Sequence, residues 1–212
     1  MSPENKFYDS FGQIAVRGLR GRLKPDQIEA ETVAQIRRLQ NSGVTVSHVD
    51  THKHAHMLPQ VAEAVIRGAV ACGVKAIRNP FIPLTGSVFT HIARRPHLWK
   101  RYTGISLLRG YNHDFRRRAE KAGLATPDGS FGVVMTGSVN ENVFRAAIES
   151  IPDGTWEFVC HPGYNDDELQ HVKTKLRESR EKEFHILTSD WAKKLLAEHG
   201  VQLISFRELA AG

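Results

Sequence analysis

The sequence predicts an α/β fold, in which a mostly parallel sheet is wrapped by helices. From residue 26 onward, short β-branched segments alternate with amphipathic helical segments, as expected for a parallel sheet. Polar clusters follow three of the predicted strands, and sites in parallel folds collect at such strand ends. The 212 residues, 41% hydrophobic and 25% charged, suit one globular domain over residues 1–212.

The predicted helices show apolar residues at helical spacing between recognisable end signals. Asp26 is suited to cap the first helix, and Asn41-Ser42-Gly43 ends it. Pro59 begins the second helix, which ends at Gly73. The other predicted helices are a basic stretch ending at Lys121, Glu141 to Ser150, a charged helix over about 166–182, and a helix capped by Ser189.

The predicted strands share short runs of β-branched or apolar residues. They are Val44 to Val49, Val74 to Ile77, Phe131 to Met135, Trp156 to Cys160, and Val201 to Ile204. The polar clusters begin after Val49, after Ile77 and after Cys160. This coincidence of polar groups with strand ends predicts an enzyme.

Composition and motifs exclude several classes of protein. There is no P-loop, no GxGxxG and no GxSxG, so nucleotide hydrolysis, dinucleotide binding and serine-esterase chemistry lose their usual support. Cys72 and Cys160 form no CxxC pair and are predicted to be buried free thiols. No apolar run is long enough to span a membrane, and Met1 is not followed by a signal-peptide core. We therefore expect a cytoplasmic protein.

The formal net charge is +6, with basic residues concentrated at Arg94-Arg95 and Arg116-Arg117-Arg118. Acidic residues are mixed throughout and no aromatic residues interleave with the basic ones, which favours a solvated face over nucleic-acid binding. The charge is compatible with peripheral contact with an anionic membrane. The sequence also leaves a homo-oligomer open.

The strongest chemical signal is the segment His48-Val49-Asp50-Thr51-His52-Lys53-His54-Ala55-His56. Imidazole and carboxylate groups are common ligands of divalent ions. Alternate residues of an extended chain share a face, so Asp50, His52, His54 and His56 are expected to point the same way. Backbone geometry allows about two of these histidines to bind one ion. The others are expected to form hydrogen bonds with the ligands of the ion or with the substrate. The alternative is a polar loop with incidental histidines.

Two shorter clusters carry weaker signals. In His161-Pro162-Gly163-Tyr164, the proline fixes the backbone beside a histidine, which suits a general acid or base but equally suits a turn cap. In Arg78-Asn79-Pro80, the arginine is suited to hold a carboxylate or polarise a carbonyl. A structural ion pair is the alternative for Arg78.

These segments together resemble the YdjC-like carbohydrate deacetylase family. The histidine-rich segment resembles the family signature His-x-Asp-x-His-x-His-x-His, and the resemblance runs from about residue 26 to 209. The supporting segments follow in the same order, and they are Ala76 to Phe81, Cys160 to Tyr164, and Leu203 to Leu209. Lys53 together with Arg78 to Phe81 is more similar to the hopanoid-associated branch of the family.

The resemblance implies a partial TIM-barrel-like fold and removal of an acetyl group from an N-acetylated sugar. The substrate would be a chito-oligosaccharide or a hopanoid-linked N-acetylglucosamine, with a sugar or a glycolipid as partner. A divalent ion, Mg²⁺ or alternatively Zn²⁺, would activate water, and His52 matches one of its ligands. The remaining site residues are Asp50, His161 and Arg78 with catalytic roles, and His54, His56 and Tyr164 at the substrate.

Two parts of the family pattern have no match in this sequence. They are an apolar strand leading into Asp-Asp-Phe-Gly and a Gly-x-His segment, which supply the other two metal ligands. Asp9-Ser10-Phe11-Gly12 follows no apolar strand, and we interpret it as a coincidence. We therefore expect an N-terminally incomplete domain that binds metal weakly and has little deacetylase activity. A non-catalytic sugar-binding relative is the alternative.

Overall fold

The computed structural model describes residues 11–83 and 108–212, together with residues 99, 103 and 106. The chain divides into two compact units. The first contains Met1–Phe81, Leu108–Asp128 and Ile204–Gly212, and the second contains Ile82–Leu107 and Gly129–Leu203. The basic pair Arg94-Arg95 and the residues Asp9 and Ser10 lie outside the described residues. The single domain over 1–212 stays a prediction.

The helices and strands are as follows in chain order. The α-helices are α1 (Phe11–Leu19), α2 (Pro25–Asn41), α3 (Pro59–Ala71), α4 (Asn112–Lys121), α5 (Glu141–Glu149), α6 (Asp167–Gln170), α7 (Glu178–Thr188), α8 (Asp190–Glu198) and α9 (Phe206–Leu209). The 3₁₀ turns are His52–Met57 and Arg109–Tyr111, and the strands are β1 (Gly129–Phe131) and β2 (Trp156–Phe158).

Packing between α2 and α3 forms the base of the first unit. Both helices begin with a proline in the first turn, where no backbone donor is lost, and both were predicted. The prediction that Asp26 caps α2 was wrong, because Asp26 lies inside the first turn and Lys24 is the residue that precedes the helix. The face of α3 that includes Val61, Val65 and Ala69 is buried. A Cβ atom on Gly68 would lie 2.9 Å from Cβ and Cγ2 of Thr32. The glycine therefore lets the two helices approach closely.

Two single parallel bridges take the place of the first two predicted strands. Val49 pairs with Ile77, and Ala76 pairs with Ala125. The predicted strands over residues 44–49 and 74–77 were thus wrong in extent, although their parallel direction was right. Residues 44–48 adopt no regular structure, and Val44 is 48% exposed. A β-branched run becomes a strand only where neighbouring backbone completes its hydrogen bonds, which propensity does not report.

The second unit contains a short parallel pair, β1 with β2, in which Phe131 is opposite Phe158. The predicted strand 131–135 was wrong beyond Phe131, because the chain turns at Gly132, whose φ is 88°. A Cβ atom there would lie 2.1 Å from the carbonyl oxygen of Val159, so only glycine fits. The apolar residues after the turn, including Val133 and Val134, are buried with Phe131 in the core of this unit.

Helices α4, α5 and α8 agree with the sequence, whereas α1 and α9 were not predicted and the chain differs from the prediction between residues 166 and 182. Helix α5 and the cap of α8 are confirmed, since Ser189 Oγ accepts a hydrogen bond from the Ala192 backbone N–H at 3.3 Å. The predicted helix over 166–182 was wrong, because the chain breaks between α6 and α7. The guanidinium of Arg177 donates to the carbonyls of Leu169 (2.8 Å) and Val172 (3.1 Å), which ends α6.

The C-terminal segment was also predicted wrongly. Residues 201–204 are not a strand, and Leu203 is 76% exposed. Helix α9 follows them and begins with a capping box between Ser205 and Glu208. Phe206 stacks on the ring of His48 with their centroids 3.9 Å apart. One histidine of the cluster therefore packs against the C-terminal helix.

The coarse prediction of an α/β fold with parallel pairing is confirmed. The barrel-like arrangement stays a prediction. Among the described residues, no helix combines the length and apolarity needed to cross a membrane.

Candidate functional site

The parallel bridge between Val49 and Ile77 brings two polar strand ends together in the first unit. The backbone N–H of Val49 donates to Ala76 (3.1 Å), and that of Arg78 donates to Val49 (3.0 Å). Asp50 and Arg78 therefore leave the bridge side by side. Their carboxylate and guanidinium groups form a close ion pair. The Asp50 side chain is 30% exposed, so the pair lies near the surface.

Donors and imidazoles surround the Asp50 carboxylate. Its Oδ1 accepts a hydrogen bond from the Thr51 backbone N–H at 2.6 Å. The same oxygen lies 3.8 Å from Nδ1 of His54 and 3.9 Å from Nδ1 of His56. One negative group is thus held by a guanidinium and a backbone N–H, with two imidazoles nearby. This is a strongly polarised position at a strand end.

The backbone that presents these groups is a tight turn with unusual dihedral angles. Lys53 and His54 have φ values of 53° and 55°, in the left-handed region that side chains other than glycine seldom adopt. The His54 backbone N–H donates to the Thr51 carbonyl at 2.9 Å and closes the turn. Strain of this kind costs about 1 kcal/mol or more at each residue and concentrates at functional sites. It also shows why the extended geometry assumed for this segment was wrong.

His56 is completely buried and fully occupied by protein contacts. Its Nε2 is 3.0 Å from the Arg78 carbonyl oxygen, which only accepts, so Nε2 carries the proton. Its Nδ1 then accepts from the Thr51 hydroxyl at 2.6 Å. Burial, together with the nearby His54, lowers the pKa of His56 from 6.5 to about 3. The ring is neutral and links the turn to the neighbouring strand end.

His56 also contacts apolar side chains, since its ring centroid is 5.8 Å from that of Phe115. Its contact with the substrate stays a prediction. The residue is better described by what it positions. Its hydrogen bond to Arg78 and its contact with Thr51 hold both sides of the Asp50–Arg78 pair.

His52 and Asp50 line a cavity of about 550 Å³ in the first unit. His52 itself is exposed, so it faces solvent at the cavity rim and does not point into the core. Its role as a metal ligand stays a prediction. Lys53 and Thr51 lie beside it on the same rim.

A divalent ion needs more ligands than these residues offer. Within residues 11–83 and 108–212, no three His, Cys, Asp or Glu side chains are grouped so as to hold a metal ion. Asp50 is engaged by Arg78 and by the Thr51 N–H, and both nitrogens of His56 are bonded to protein. Magnesium prefers six ligands, mostly oxygen. The described residues therefore do not fit a complete metal centre.

His161 and Tyr164 belong to the second unit. The His161 backbone N–H donates to the Glu183 carboxylate at 2.5 Å, and the Arg180 guanidinium donates to the His161 carbonyl at 3.4 Å. Tyr164 is 65% exposed and contacts the ring of Phe184. Side chains of helix α7 thus bind the backbone of this turn. The catalytic and substrate roles of His161 and Tyr164 stay predictions.

The sequence analysis assigned no role to two buried polar residues, Asn79 in the first unit and Glu183 in the second. Glu183 is 1% exposed and anchors the turn at His161. Asn79 is fully buried, and its amide donates to the carbonyls of Pro127 (3.1 Å) and Asp128 (3.0 Å). Its position beside Arg78 was the available signal for Asn79. No local sequence signal distinguishes Glu183 from the other charged residues of its helix.

Comparisons with known proteins give a consistent set of relatives. A family model described as YdjC-like protein matches residues 1–198. A carbohydrate deacetylase of Geobacillus stearothermophilus is 29% identical over 206 residues, which cover 97% of this chain and 66% of the relative. One of Thermoanaerobacter pseudethanolicus is 25% identical over 85% of this chain and 59% of the relative. One of Mus musculus is 27% identical over 99% of this chain and 70% of the relative.

A solved structure has a similar fold. It is described as a cellobiose-phosphate cleavage protein from Enterococcus faecalis V583, and it aligns with a TM-score of 0.64 at 18% identity. The alignment covers 90% of this chain and 63% of that chain. This chain therefore spans less than two thirds of the solved relative and of the first two deacetylases above.

Proposed function

The chain belongs to the YdjC-like family, and from this we propose that it hydrolyses the acetamide of an N-acetylated sugar. Relatives from bacteria and from mouse are named carbohydrate deacetylases, which supports this reaction. The observation that carries the proposal is the Asp50–Arg78 ion pair at the rim of an open cavity. A free or oligomeric N-acetylated sugar is the proposed substrate class.

Acetamide hydrolysis needs a base for water, a donor for the oxygen that becomes negative, and an acid for the departing amine. In our proposal, the Asp50 carboxylate takes the proton from water. The Arg78 guanidinium holds that carboxylate and donates to the developing oxyanion. Both groups lie next to each other at the strand ends, so one substrate carbonyl would be within reach of both.

An imidazole would supply the proton to the amine. His54 is the nearest candidate, with Nδ1 3.8 Å from the Asp50 carboxylate and the side chain 17% exposed. His161 is the candidate that the family resemblance supplies. Separate His54→Ala and His161→Ala variants distinguish the two candidates. Only the variant that lacks the proton donor is expected to lose about 100-fold or more in kcat.

A divalent ion, Mg²⁺ or Zn²⁺, with His52 as one ligand, is proposed from the resemblance alone. When bound, such an ion would supply activated water. Because the described residues do not form a complete centre, we assign no step to it. Isothermal titration tests this part. One-to-one binding that His52→Ala abolishes would support it, and binding unchanged in that variant would contradict it.

We further propose a partial TIM-barrel-like fold, as the family resemblance implies. The supporting observations are the parallel direction of each pair and the likeness to the solved relative. The hopanoid-linked substrate is a narrower proposal, which rests on the similarity of the segments around Lys53 and Arg78 to one branch of the family.

The test of the proposed reaction is acetate release from N-acetylglucosamine and chito-oligosaccharides by the full chain. Asp50→Asn keeps the size of the side chain but removes its charge, and we expect a loss of at least 100-fold in kcat/KM. Asp153→Asn, an exposed aspartate in a turn of the second unit, is the matched control. Equal activity of Asp50→Asn and the unaltered chain would remove Asp50 from the mechanism.

A sugar-binding protein without catalysis is the second candidate. It is favoured by one observation, that Asp50 and His56 already have protein partners for their polar groups. This function predicts saturable sugar binding without acetate release. Acetate release that requires Asp50 would exclude it.

A further inference from the structure

The second unit contains a polar cavity whose lining residues have no role in the proposed reaction. Its volume is about 560 Å³, and all the residues that line it belong to this unit. Residues 137–140 form one wall, and five residues between positions 175 and 182 form the other. The first wall follows β1 and leads into α5. Ligand sites of parallel folds collect after the carboxyl ends of strands, which is where this wall lies.

Positive charge dominates this cavity. Lys175, Arg177 and Lys182 line it, together with one carboxylate, that of Glu178. The Glu178 carboxylate lies 3.9 Å from Nζ of Lys182 and offsets that charge. Across residues 11–83 and 108–212, no carboxylate forms an ion pair with Lys175 or Arg177. The cavity therefore carries a net positive charge, which favours an anionic ligand.

Hydrogen bonds hold the Arg177 guanidinium in place without neutralising it. It donates to the carbonyl oxygens of Leu169 (2.8 Å) and Val172 (3.1 Å) and to the side-chain oxygen of Gln170 (2.9 Å). All of these acceptors are uncharged. The positive charge is thus fixed at the wall before a ligand arrives, and such preorganisation reduces the entropy lost on binding. Arg177 contributes its charge, whereas hydrogen bonds to a ligand come from other groups.

Hydrogen-bond donors are present on both walls. Ser138 and Ser179 are partly buried and contribute one hydroxyl to each wall, and Lys175 adds an ammonium group. Helix α7 begins at Glu178 without a side-chain cap. Uncapped helix starts offer backbone N–H groups to an acceptor, and this helix start adds to the charged side chains of the same wall.

The two walls approach each other at Gly137. Its φ of 78° lies in the left-handed region, and a Cβ atom there would be 2.8 Å from Cδ2 of Leu176 and 4.0 Å from Oγ of Ser179. The glycine therefore lets the loop after β1 pack against the start of α7. This close approach places donors from two distant parts of the chain around one cavity.

We propose that this cavity binds a tetrahedral oxyanion, a phosphate or sulfate group, either free or carried as a monoester by a small molecule. Hydroxyl, ammonium and backbone N–H donors are the groups that bind such anions. The volume lies within the roughly 300–1,000 Å³ of small-molecule sites, which leaves room for the remainder of an ester. The inference does not depend on the proposed deacetylation, because none of the lining residues has a role in that reaction.

Isothermal titration of the full chain tests the proposal. The probes are inorganic phosphate, inorganic sulfate and methyl phosphate, each at the same ionic strength, with chloride as the balancing anion. We expect one-to-one binding that weakens as salt is added, because the site is charged and open to solvent. Binding of methyl phosphate assigns the monoester, and binding of the inorganic ions alone assigns the free anion. No saturable binding of any probe at millimolar concentration would overturn the proposal.

Two lysine variants locate the bound anion. Lys175→Ala removes a charge-assisted hydrogen bond, so we expect the Kd to rise by about tenfold. Lys173→Ala is the matched control, because Lys173 is also an exposed lysine of this segment and lies outside the wall. It removes the same charge, and its Kd is expected to stay within about twofold of that of the unaltered chain, since salt screens charges that do not contact the ligand.

Both lysines are exposed, so both variants are expected to fold, which urea unfolding checks. An equal change in Kd for the two variants would indicate attraction by net charge alone and would overturn the assignment to this cavity. No change in either variant would overturn it as well.

Discussion

The polar clusters at the ends of the paired segments serve different purposes in the two units. In the first unit, Asp50 and Arg78 pair through their side chains near the surface and beside a cavity. In the second unit, the buried carboxylate of Glu183 accepts the backbone N–H of His161. The first arrangement leaves charged groups where a ligand reaches them, whereas the second satisfies the backbone of a turn. A polar residue after a strand therefore indicates chemistry only when its side chain stays accessible.

The same contrast occurs within the histidine-rich segment. His52 is exposed at the cavity rim, whereas His56 is fully buried and bonded at both ring nitrogens. Four residues apart, one histidine is available to a ligand and the other holds the turn.

The largest expected effect is the loss of stability at acidic pH. His56 has a pKa of about 3 when folded and about 6.5 when unfolded, so between these values only the unfolded chain binds the proton. The stabilisation is complete above pH 6.5 and decreases as the pH falls towards 3. The expected slope is about 1.4 kcal/mol per pH unit.

Urea unfolding between pH 7 and pH 5 measures this slope, in a range where most carboxylates do not titrate. His56→Ala is the comparison, because it removes the titrating group. The two proteins are expected to differ in slope by about one bound proton. Identical slopes would show that burial of His56 does not govern the acid sensitivity.

The second effect is the cost of removing the buried ring. His56→Ala leaves the Arg78 carbonyl without its donor and the Thr51 hydroxyl without its acceptor, and it creates a cavity, so we expect a loss of about 3 kcal/mol in the free energy of unfolding. His52→Ala is the matched control in the same segment, with an expected change below about 0.5 kcal/mol. Similar losses in the two variants would contradict the assigned contrast.

The third effect concerns the buried carboxylate of the second unit. Glu183→Ala leaves the His161 backbone N–H without an acceptor, and we expect a loss of about 2 kcal/mol in unfolding free energy. Glu183→Gln keeps an acceptor oxygen and is expected to recover part of this loss. Glu181→Ala, at an exposed position on the same helix, serves as the control in thermal or urea unfolding. A change no larger than that of the control would mean that the turn is held by other groups.

The smallest effect on stability is expected where the effect on activity is largest. The Asp50–Arg78 pair is partly exposed, and pairs of this kind contribute about 1 kcal/mol or less. Asp50→Asn is therefore expected to unfold within about 1 kcal/mol of the unaltered chain while it loses activity. A large drop in stability would place Asp50 with Glu183 as a structural residue.

The local signals that the sequence carries were sufficient for most helices. Pro59 and the apolar face of α3 are helix signals that lie within the segment itself, and Ser189 caps α8 from the position just before it. The strands were harder, because residues 44–48 contain the expected β-branched residues and still lack regular pairing. The break between α6 and α7 depends on hydrogen bonds from the Arg177 guanidinium to backbone carbonyls. Those carbonyls come within reach of Arg177 only after the chain has turned.

The amino-acid sequence alone determined which residue types cluster after the strands, and through them the resemblance to the YdjC-like family that the comparisons confirmed. Only the tertiary structure decided which members of those clusters are accessible. Asp50 and Arg78 meet because two segments pair, and His56 is neutral because it is buried. Burial and pairing join residues distant in the chain, and no local pattern encodes how much water reaches each side chain.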